Sequence, residues 1–314
     1  MTITPSDPST PLVISAQQLR NQRARAIGNF FVAMLFLAPS LVIFISFVFV
    51  PLLKTIQISL YLTDPIGRMV AFAGVDNYER IFSDKDLWNS LKVSLNFALY
   101  VVPSTIVLSL FLATVANARL RGISVFRVIF SSTIAVSSAT ASLIFLFLFH
   151  PAIGIFNYVL DLAHLPRVNW LTDASTALIS VSMVTIWLNI GFNTVIFLAA
   201  MQGISQELYE SATIDGANFW KSFRHITVPL ISPTIFFLIV VSTLNALQTF
   251  TQISVMTRGG PIDSTNVMVY LIYRAFYFNG QYGLAAAMSV VLFVIMLVFT
   301  VLQFGVFERR VHYS

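Results

Sequence analysis

Six long apolar runs punctuate the chain, at residues 30–53, 93–118, 128–149, 177–201, 230–255 and 283–307, and none contains Asp, Glu, Lys or Arg. Each is long enough to cross a hydrocarbon core, which takes about 20 consecutive, mostly apolar residues. The pattern predicts an all-α polytopic membrane protein with six transmembrane helices, because a helix satisfies its own backbone where no water can. The first run starts too far from Met1, and is too long, for a cleaved signal peptide, so it is expected to be retained. Pro39, Pro103 and Pro233 lie within or near the starts of runs, where kinks are expected.

Composition removes the alternatives. Of 314 residues, 57% are hydrophobic and 10% charged, where a soluble domain carries about 25% charged residues. A soluble globule of this size could not cover itself with polar groups. No cysteine occurs, which excludes disulfides, thiolate metal sites and cysteine nucleophiles. The net charge of +5 is too small and dispersed for a nucleic-acid partner. Topology explains it instead. With the N-terminus in the cytoplasm, the inner segments hold ten basic residues, namely Arg20, Arg23, Arg25, Arg119, Arg121, Arg127, Lys221, Arg224, Arg309 and Arg310. Against them stand five acids, Asp7, Glu207, Glu210, Asp215 and Glu308, while the outer segments hold eight of each sign. The whole excess (10 − 5 = +5) then lies inside, as the distribution of Lys and Arg in membrane proteins requires. Both termini are expected in the cytoplasm, with tails at 1–29 and 309–314 flanking a transmembrane domain at 30–308.

A proton-coupled carrier needs titratable groups at membrane depth, and the six runs have no acid. His150 sits at the outer end of the third run and His225 in a cytoplasmic loop. A self-contained ATP-driven pump needs a P-loop, yet Lys54-Thr55 and Lys221-Ser222 lack the preceding glycine pattern. If ATP drives this chain, another chain hydrolyses it. Sodium coupling stays open, since carbonyls and hydroxyls can hold that ion.

The cytoplasmic loop 202–229 is the most informative stretch. Ser205 suits an N-cap and Glu207 the first turn of a helix running to about Asp215. Gly216 can take the positive φ that ends it. Asn218 can cap a second helix from Phe219, which would carry Phe219, Trp220, Phe223 and Ile226 on one face. The result is a helix–turn–helix with small residues Ser211, Ala212, Gly216 and Ala217 at its bend. It is either an amphipathic loop on the membrane or a docking element for a cytosolic partner.

The run Glu210-Ser211-Ala212, three residues, Gly216, nine residues, Ile226, two residues, Pro229 resembles the EAA loop of ABC importer permeases, the binding-protein-dependent transport inner-membrane components. That loop reads Glu-Ala-Ala, three residues, Gly, nine residues, Ile-x-Leu-Pro; Ser211 and Val228 are the departures. Ile214-Asp215-Gly216-Ala217 resembles the carbohydrate-uptake branch. The outer segments Phe72-Ala73-Gly74-Val75-Asp76-Asn77-Tyr78, Pro151-Ala152-Ile153-Gly154-Ile155-Phe156-Asn157 and Thr257-Arg258-Gly259-Gly260-Pro261 resemble those of the same family. Where the family carries Pro early in the third span, this chain has Ser132-Thr133.

The resemblance implies a type I ABC importer permease architecture in a bacterial plasma (inner) membrane, and a transporter subunit rather than an enzyme, with no cofactor or metal. It implies a second permease subunit, two ATPase subunits on the cytoplasmic side and an extracytoplasmic solute-binding protein as partners, beside membrane lipid. Coupling to the ATPase would fall on Glu207, Glu210, Ser211, Ala212, Asp215, Gly216, Ala217, Phe219 and Arg224. The layout, down to the ending Val306-Phe307-Glu308-Arg309-Arg310, resembles the first permease subunit of glycerol-3-phosphate and glycerophosphodiester uptake systems. An importer of trehalose, a maltooligosaccharide or another disaccharide is the alternative, ahead of a sodium-coupled carrier.

A sugar or polyol phosphate needs hydrogen-bonding groups in a cavity. Asn189 and Asn193 are four residues apart and follow Trp187. Asn245, Gln248, Thr249 and Gln252 fall at i, i+3, i+4 and i+7, one face of a continuous helix. These six residues are the candidate substrate path. The competing role for such amides is to bond neighbouring helices.

Overall fold

The computed structural model describes residue 29 and residues 32–118 and 122–307. Apart from Asn29, the predicted tails lie outside the described residues, as do Arg119 and Arg121 of the basic loop. The chain divides into two units at Thr55/Ile56.

The first apolar run forms one helix, α1 (Val32–Ser59). Its turns at Ile45–Phe49 widen to π geometry just before Pro51, which has no N–H to return to the carbonyl four residues back. Pro39 is accommodated without a break.

The second unit opens with a feature the all-α expectation did not include. Strands β1 (Tyr61–Thr63) and β2 (Met69–Phe72) pair antiparallel. Asp64 Oδ1 closes the turn between them by accepting from the N–H groups of Ile66 (3.1 Å) and Arg68 (2.7 Å). The short helix α2 (Asp76–Ser83) follows. Its Asn77 is 2% exposed and donates to the carbonyls of Ser59 (2.9 Å) and Tyr61 (3.0 Å). The Asp76-Asn77-Tyr78 segment thus fastens the hairpin.

Helix α3 (Lys85–Asn117) runs unbroken through Pro103. It packs along α7 (Ala177–Gln202) through a seam of small residues. Ser109 and Ala113 are fully buried, and Ser109 Oγ donates to Ile190 O at 3.2 Å. Small side chains let membrane helices approach closely where no hydrophobic effect drives them together.

The third run is not one straight helix. The segments Ile123–Ala135 and Ser138–Leu148 meet at 105°; the latter is α5, and the regular part of the former, Ile123–Ser131, is α4. Hydroxyls make the break. Ser132 Oγ donates to Ile129 O (2.7 Å) and Thr133 Oγ1 to Phe130 O (3.1 Å), and such back-bonding bends helices. Ser137 then caps α5, its Oγ accepting from Thr140 N–H at 3.2 Å. Gly191 of α7 makes room for this elbow: a Cβ there would collide with Thr133 Oγ1 and Phe130 O. Among the described residues five helices are long and apolar enough to cross on their own, and the bent pair counted as one span makes six.

After the elbow come α6 (Ile155–Leu162), then α7, then the helix–turn–helix of α8 (Gln206–Ile214) and α9 (Phe219–Ser222). The fifth span is α10 (Ser232–Leu247) and α11 (Thr251–Met256), with an interruption between them. The turn after it is held by Thr265, whose Oγ1 lies 2.8 Å from Thr257 Oγ1 and 2.7 Å from Gly260 O. Helix α12 (Met268–Tyr273) and the sixth span α13 (Tyr282–Phe307) complete the chain. The largest buried cluster gathers Phe97, Val101, Ala141, Phe149, Val181, Val184 and Ile253 from α3, α5, α7 and α11.

Candidate functional site

Two groups of residues stand out, at one end of the bundle and at mid-span. The end group is the helix–turn–helix. Ser205 Oγ accepts from Glu207 N–H at 3.3 Å, and Glu207 lies in the first turn of α8. Ala217 N–H reaches back to Ala212 O (2.8 Å) and Gly216 N–H to Thr213 O (3.1 Å). That pair of bonds is the Schellman ending, and it needs the left-handed residue that Gly216 supplies with φ +76°. Asn218 Oδ1 then caps α9 by accepting from Lys221 N–H at 2.9 Å. The expected caps and the left-handed turn of this loop are therefore present.

The loop is fixed at its base and bare at its tip. Tyr209 and Thr227 share a hydroxyl–hydroxyl bond of 2.9 Å, and Gln206 Nε2 donates to Glu210 Oε1 at 2.6 Å. Ile214, Phe219 and Trp220 are 87%, 61% and 71% exposed. Glu207, Ser211, Asp215, Gly216 and Arg224 are exposed as well, with Ala212 and Ala217 half-buried. Phe219, Trp220 and Phe223 form one cluster of ring contacts (5.6–6.2 Å between centroids), with Phe219 and Trp220 exposed and Phe223 and Ile226 half-buried. Among the described residues Glu207, Asp215 and Arg224 have no ion-pair partner. Behind the loop lies a cleft of about 930 Å³ lined by Arg127, Tyr209, Glu210 and Phe223. Arg127 braces its wall, donating from Nε and Nη2 to Ala116 O at 3.1 and 2.8 Å.

The mid-span group is less unified than its spacing predicts. Asn245, Gln248, Thr249 and Gln252 do not share a face of one helix. The helix stops at Leu247, and Phe250 takes φ −125°, ψ −53° before α11 begins. As a result Asn245 and Gln248 are exposed, whereas Thr249 and Gln252 are each 7% exposed. Thr249 Oγ1 donates back to Asn245 O at 3.0 Å, and Gln248 Nε2 lies 3.5 Å from Met296 Sδ of α13. On α7, Asn189 bonds its own helix at Thr185 O (2.8 Å). Asn193, 2% exposed, donates to Ser242 Oγ at 3.3 Å and so ties α7 to α10.

Sequence reasoning missed Ser242, Thr243 and Gln303. Gln303 Nε2 donates to Thr243 Oγ1 at 2.9 Å, joining α13 to α10. Its signal was available, since Gln303 is the one amide side chain of the sixth apolar run. All these groups are neutral amides and hydroxyls, suited to bonding hydroxyl-bearing solutes or each other. Among the described residues no cluster of three or more His, Asp or Glu could hold a metal.

On the opposite end of the bundle from the loop, Arg167 and Asp161 pair at 2.7 Å. The Arg167 hydrogen bond holds the Asp161 carboxyl below its ordinary value. The Ser175 backbone N–H does the same for Asp173.

Residues 105–313 match the family described as "Binding-protein-dependent transport system inner membrane component". The chain is 36% identical over 283 residues to the sn-glycerol-3-phosphate transport system permease protein UgpA of Agrobacterium fabrum, covering 89% of this chain and 96% of that one. It is 33% identical over 278 residues to the trehalose/maltose transport system permease protein MalF of Thermococcus litoralis, covering 88% and 94%. Its fold resembles that of a bacterial ABC transporter involved in import of the acidic polysaccharide alginate, with a TM-score of 0.78, 24% identity, and 92% and 99% of the two chains covered.

Proposed function

The chain belongs to the binding-protein-dependent transport system inner membrane components, and on that premise we propose that it forms half of the translocation path of an ATP-driven importer. It is a multi-pass inner-membrane transport subunit and not an enzyme. Its proposed partners are a second permease, two ATPase subunits and an extracytoplasmic solute-binding protein. The loop 202–229 is the proposed contact with the ATPase, within a transmembrane domain at 30–308 and with both termini cytoplasmic.

The observation that carries this reading is the bare tip of a rigid loop. A motor in another chain can move this one only through a stiff contact. Here two capped helices, closed by a Schellman ending and bonded at the base, expose Phe219 and Trp220 to a partner. Exposed aromatic residues on a fixed scaffold are what protein grooves bind most strongly.

The proposed solute is glycerol-3-phosphate or a related carbohydrate, as the Agrobacterium relative's name supports. A disaccharide such as trehalose or a maltooligosaccharide is the second reading. The Thermococcus relative's name favours it, and so does the neutral mid-span group, since phosphate recognition favours Arg or Lys. Asn189, Asn193, Asn245, Gln248, Thr249 and Gln252 are the proposed path residues, with Asn193 also serving as a helix tie.

The test is uptake into liposomes holding the chain with its partner subunits, with ATP inside and binding protein outside. ATP-dependent uptake of glycerol-3-phosphate supports the first reading, and of trehalose or maltose the second. Transport by the chain alone on a sodium gradient would overturn both.

A further inference from the structure

On the face of the bundle away from the helix–turn–helix, a cavity of about 620 Å³ opens between the end of α5, the segment before α7 and the turn after α11. Its floor is aromatic. Phe149, 1% exposed, lies 5.4 Å from Trp170 between ring centroids, and Phe156 stacks behind Phe149 at 5.0 Å.

Trp170 is held in place by its polar edge. Its Nε1–H donates to Asn157 Oδ1 at 3.0 Å. Asn157 is 3% exposed and is itself fixed, donating to Pro151 O and Val168 O, both at 3.1 Å. The indole therefore spends its one donor on the scaffold, and what it brings to the cavity is apolar ring.

The rim is polar, with His150 and Thr172 on it. His150 Nδ1 accepts from the N–H groups of Ala152 (3.2 Å) and Ile153 (3.4 Å). In the neutral ring this leaves the proton on Nε2, and Nε2–H has no partner among the described residues. The Thr172 hydroxyl has none there either. No Asp, Glu, Lys or Arg lines the cavity.

A fixed aromatic face flanked by free neutral donors complements a sugar ring, whose C–H face is apolar and whose edge carries hydroxyls. A phosphate would find no Lys or Arg here. We propose that this cavity is an entry subsite for a neutral pyranose ring. Beneath the cavity the rings are close-packed: Phe145 continues the ring contacts from Phe149 (5.8 Å) to Trp187 (5.5 Å), which backs the floor with a stiff aromatic layer. The inference rests on the importer reading and narrows its solute class.

The experiment uses the complex with its partner subunits in nanodiscs, without binding protein, and follows tryptophan emission. Trehalose or maltose is expected to change the emission saturably, the change is expected to vanish in Trp170→Phe, and glycerol-3-phosphate is expected to cause none. Thr172→Val is expected to weaken the apparent affinity about fivefold, the cost of one hydrogen bond. No saturable change with either disaccharide, a change that survives Trp170→Phe, or an equal response to glycerol-3-phosphate overturns the subsite. ATP-driven uptake by the unmodified complex is measured in parallel. Uptake without a Trp170-dependent change overturns the subsite alone. A Trp170-dependent change without uptake of any of the three solutes supports sugar binding in the cavity but overturns the importer reading and, with it, the cavity's role as an entry site.

Discussion

Tyr209 and Thr227 are eighteen residues apart in sequence, yet their hydroxyl oxygens lie 2.9 Å apart. The bond joins α8 to the foot of the fifth span, so under the proposed coupling role a push on the loop tip would pass to the span through it. Tyr209→Phe removes it at a cost of about 0.5–1.5 kcal/mol. The expected outcome is that the ATPase subunits still co-purify while solute-stimulated ATP hydrolysis falls severalfold. Unchanged stimulation would show that the bond transmits nothing.

Gly216 tests the turn itself. A Cβ at this position would meet nothing within 4 Å, and φ is +76°, so the penalty for a side chain is conformational. Gly216→Val should cost about 1–2 kcal/mol in backbone strain and Gly216→Asn less. Glu210→Lys breaks the bond to Gln206 and reverses charge on the docking helix. Gly216→Val and Glu210→Lys should leave the protein inserted but release or uncouple the ATPase subunits, read by their stoichiometry after purification. Full stoichiometry with full stimulation in both variants would remove the coupling assignment.

The charge asymmetry makes a topological prediction. Reporter fusions after Gly74 and after Pro261 should report the outer side, and fusions after Arg121 and Gly216 the cytoplasm. A cytoplasmic signal from the Gly74 fusion would overturn the map.

The mid-span amides should divide into two classes. Asn245 and Gln248 are exposed and weakly engaged, so Asn245→Leu and Gln248→Leu should impair uptake while assembly survives. Asn193 ties α7 to α10 through Ser242, so Asn193→Leu should lower thermal stability, by about 0.6–1.7 kcal/mol if it behaves like other interhelical bonds in membranes. Normal uptake in both exposed variants would assign the whole group to helix packing.

What the sequence revealed here was local chemistry. Ser205, Gly216 and Asn218 announce their roles because a cap or a left-handed turn depends on a few neighbouring atoms. The hairpin has a comparable signal in Asp64-Pro65-Ile66-Gly67 between two short apolar runs. The interruption at 248–250 had none, since Gln248-Thr249-Phe250 contains neither Gly nor Pro. The elbow in the third span shows the same limit from the other side. Pro is missing from the position where the family carries it, yet the segments meet at 105°, because Ser132 and Thr133 divert carbonyls and Gly191 on another helix leaves the space. Packing of that kind depends on residues nearly sixty positions away.

None of the side chains proposed for the path carries a charge, and no charge fixed there would change the net electrical work of import, which the charge of the delivered solute sets. A phosphate ester moving inward would therefore carry its own net negative charge against an inside-negative potential. That work is about 2.3 kcal/mol per elementary charge for each 100 mV, and ATP would have to supply it in addition to any concentration gradient. A disaccharide would cross with no such load. Collapsing the membrane potential should therefore speed uptake of an anionic solute and leave uptake of a neutral one unchanged, so the voltage dependence of transport reports the solute's charge.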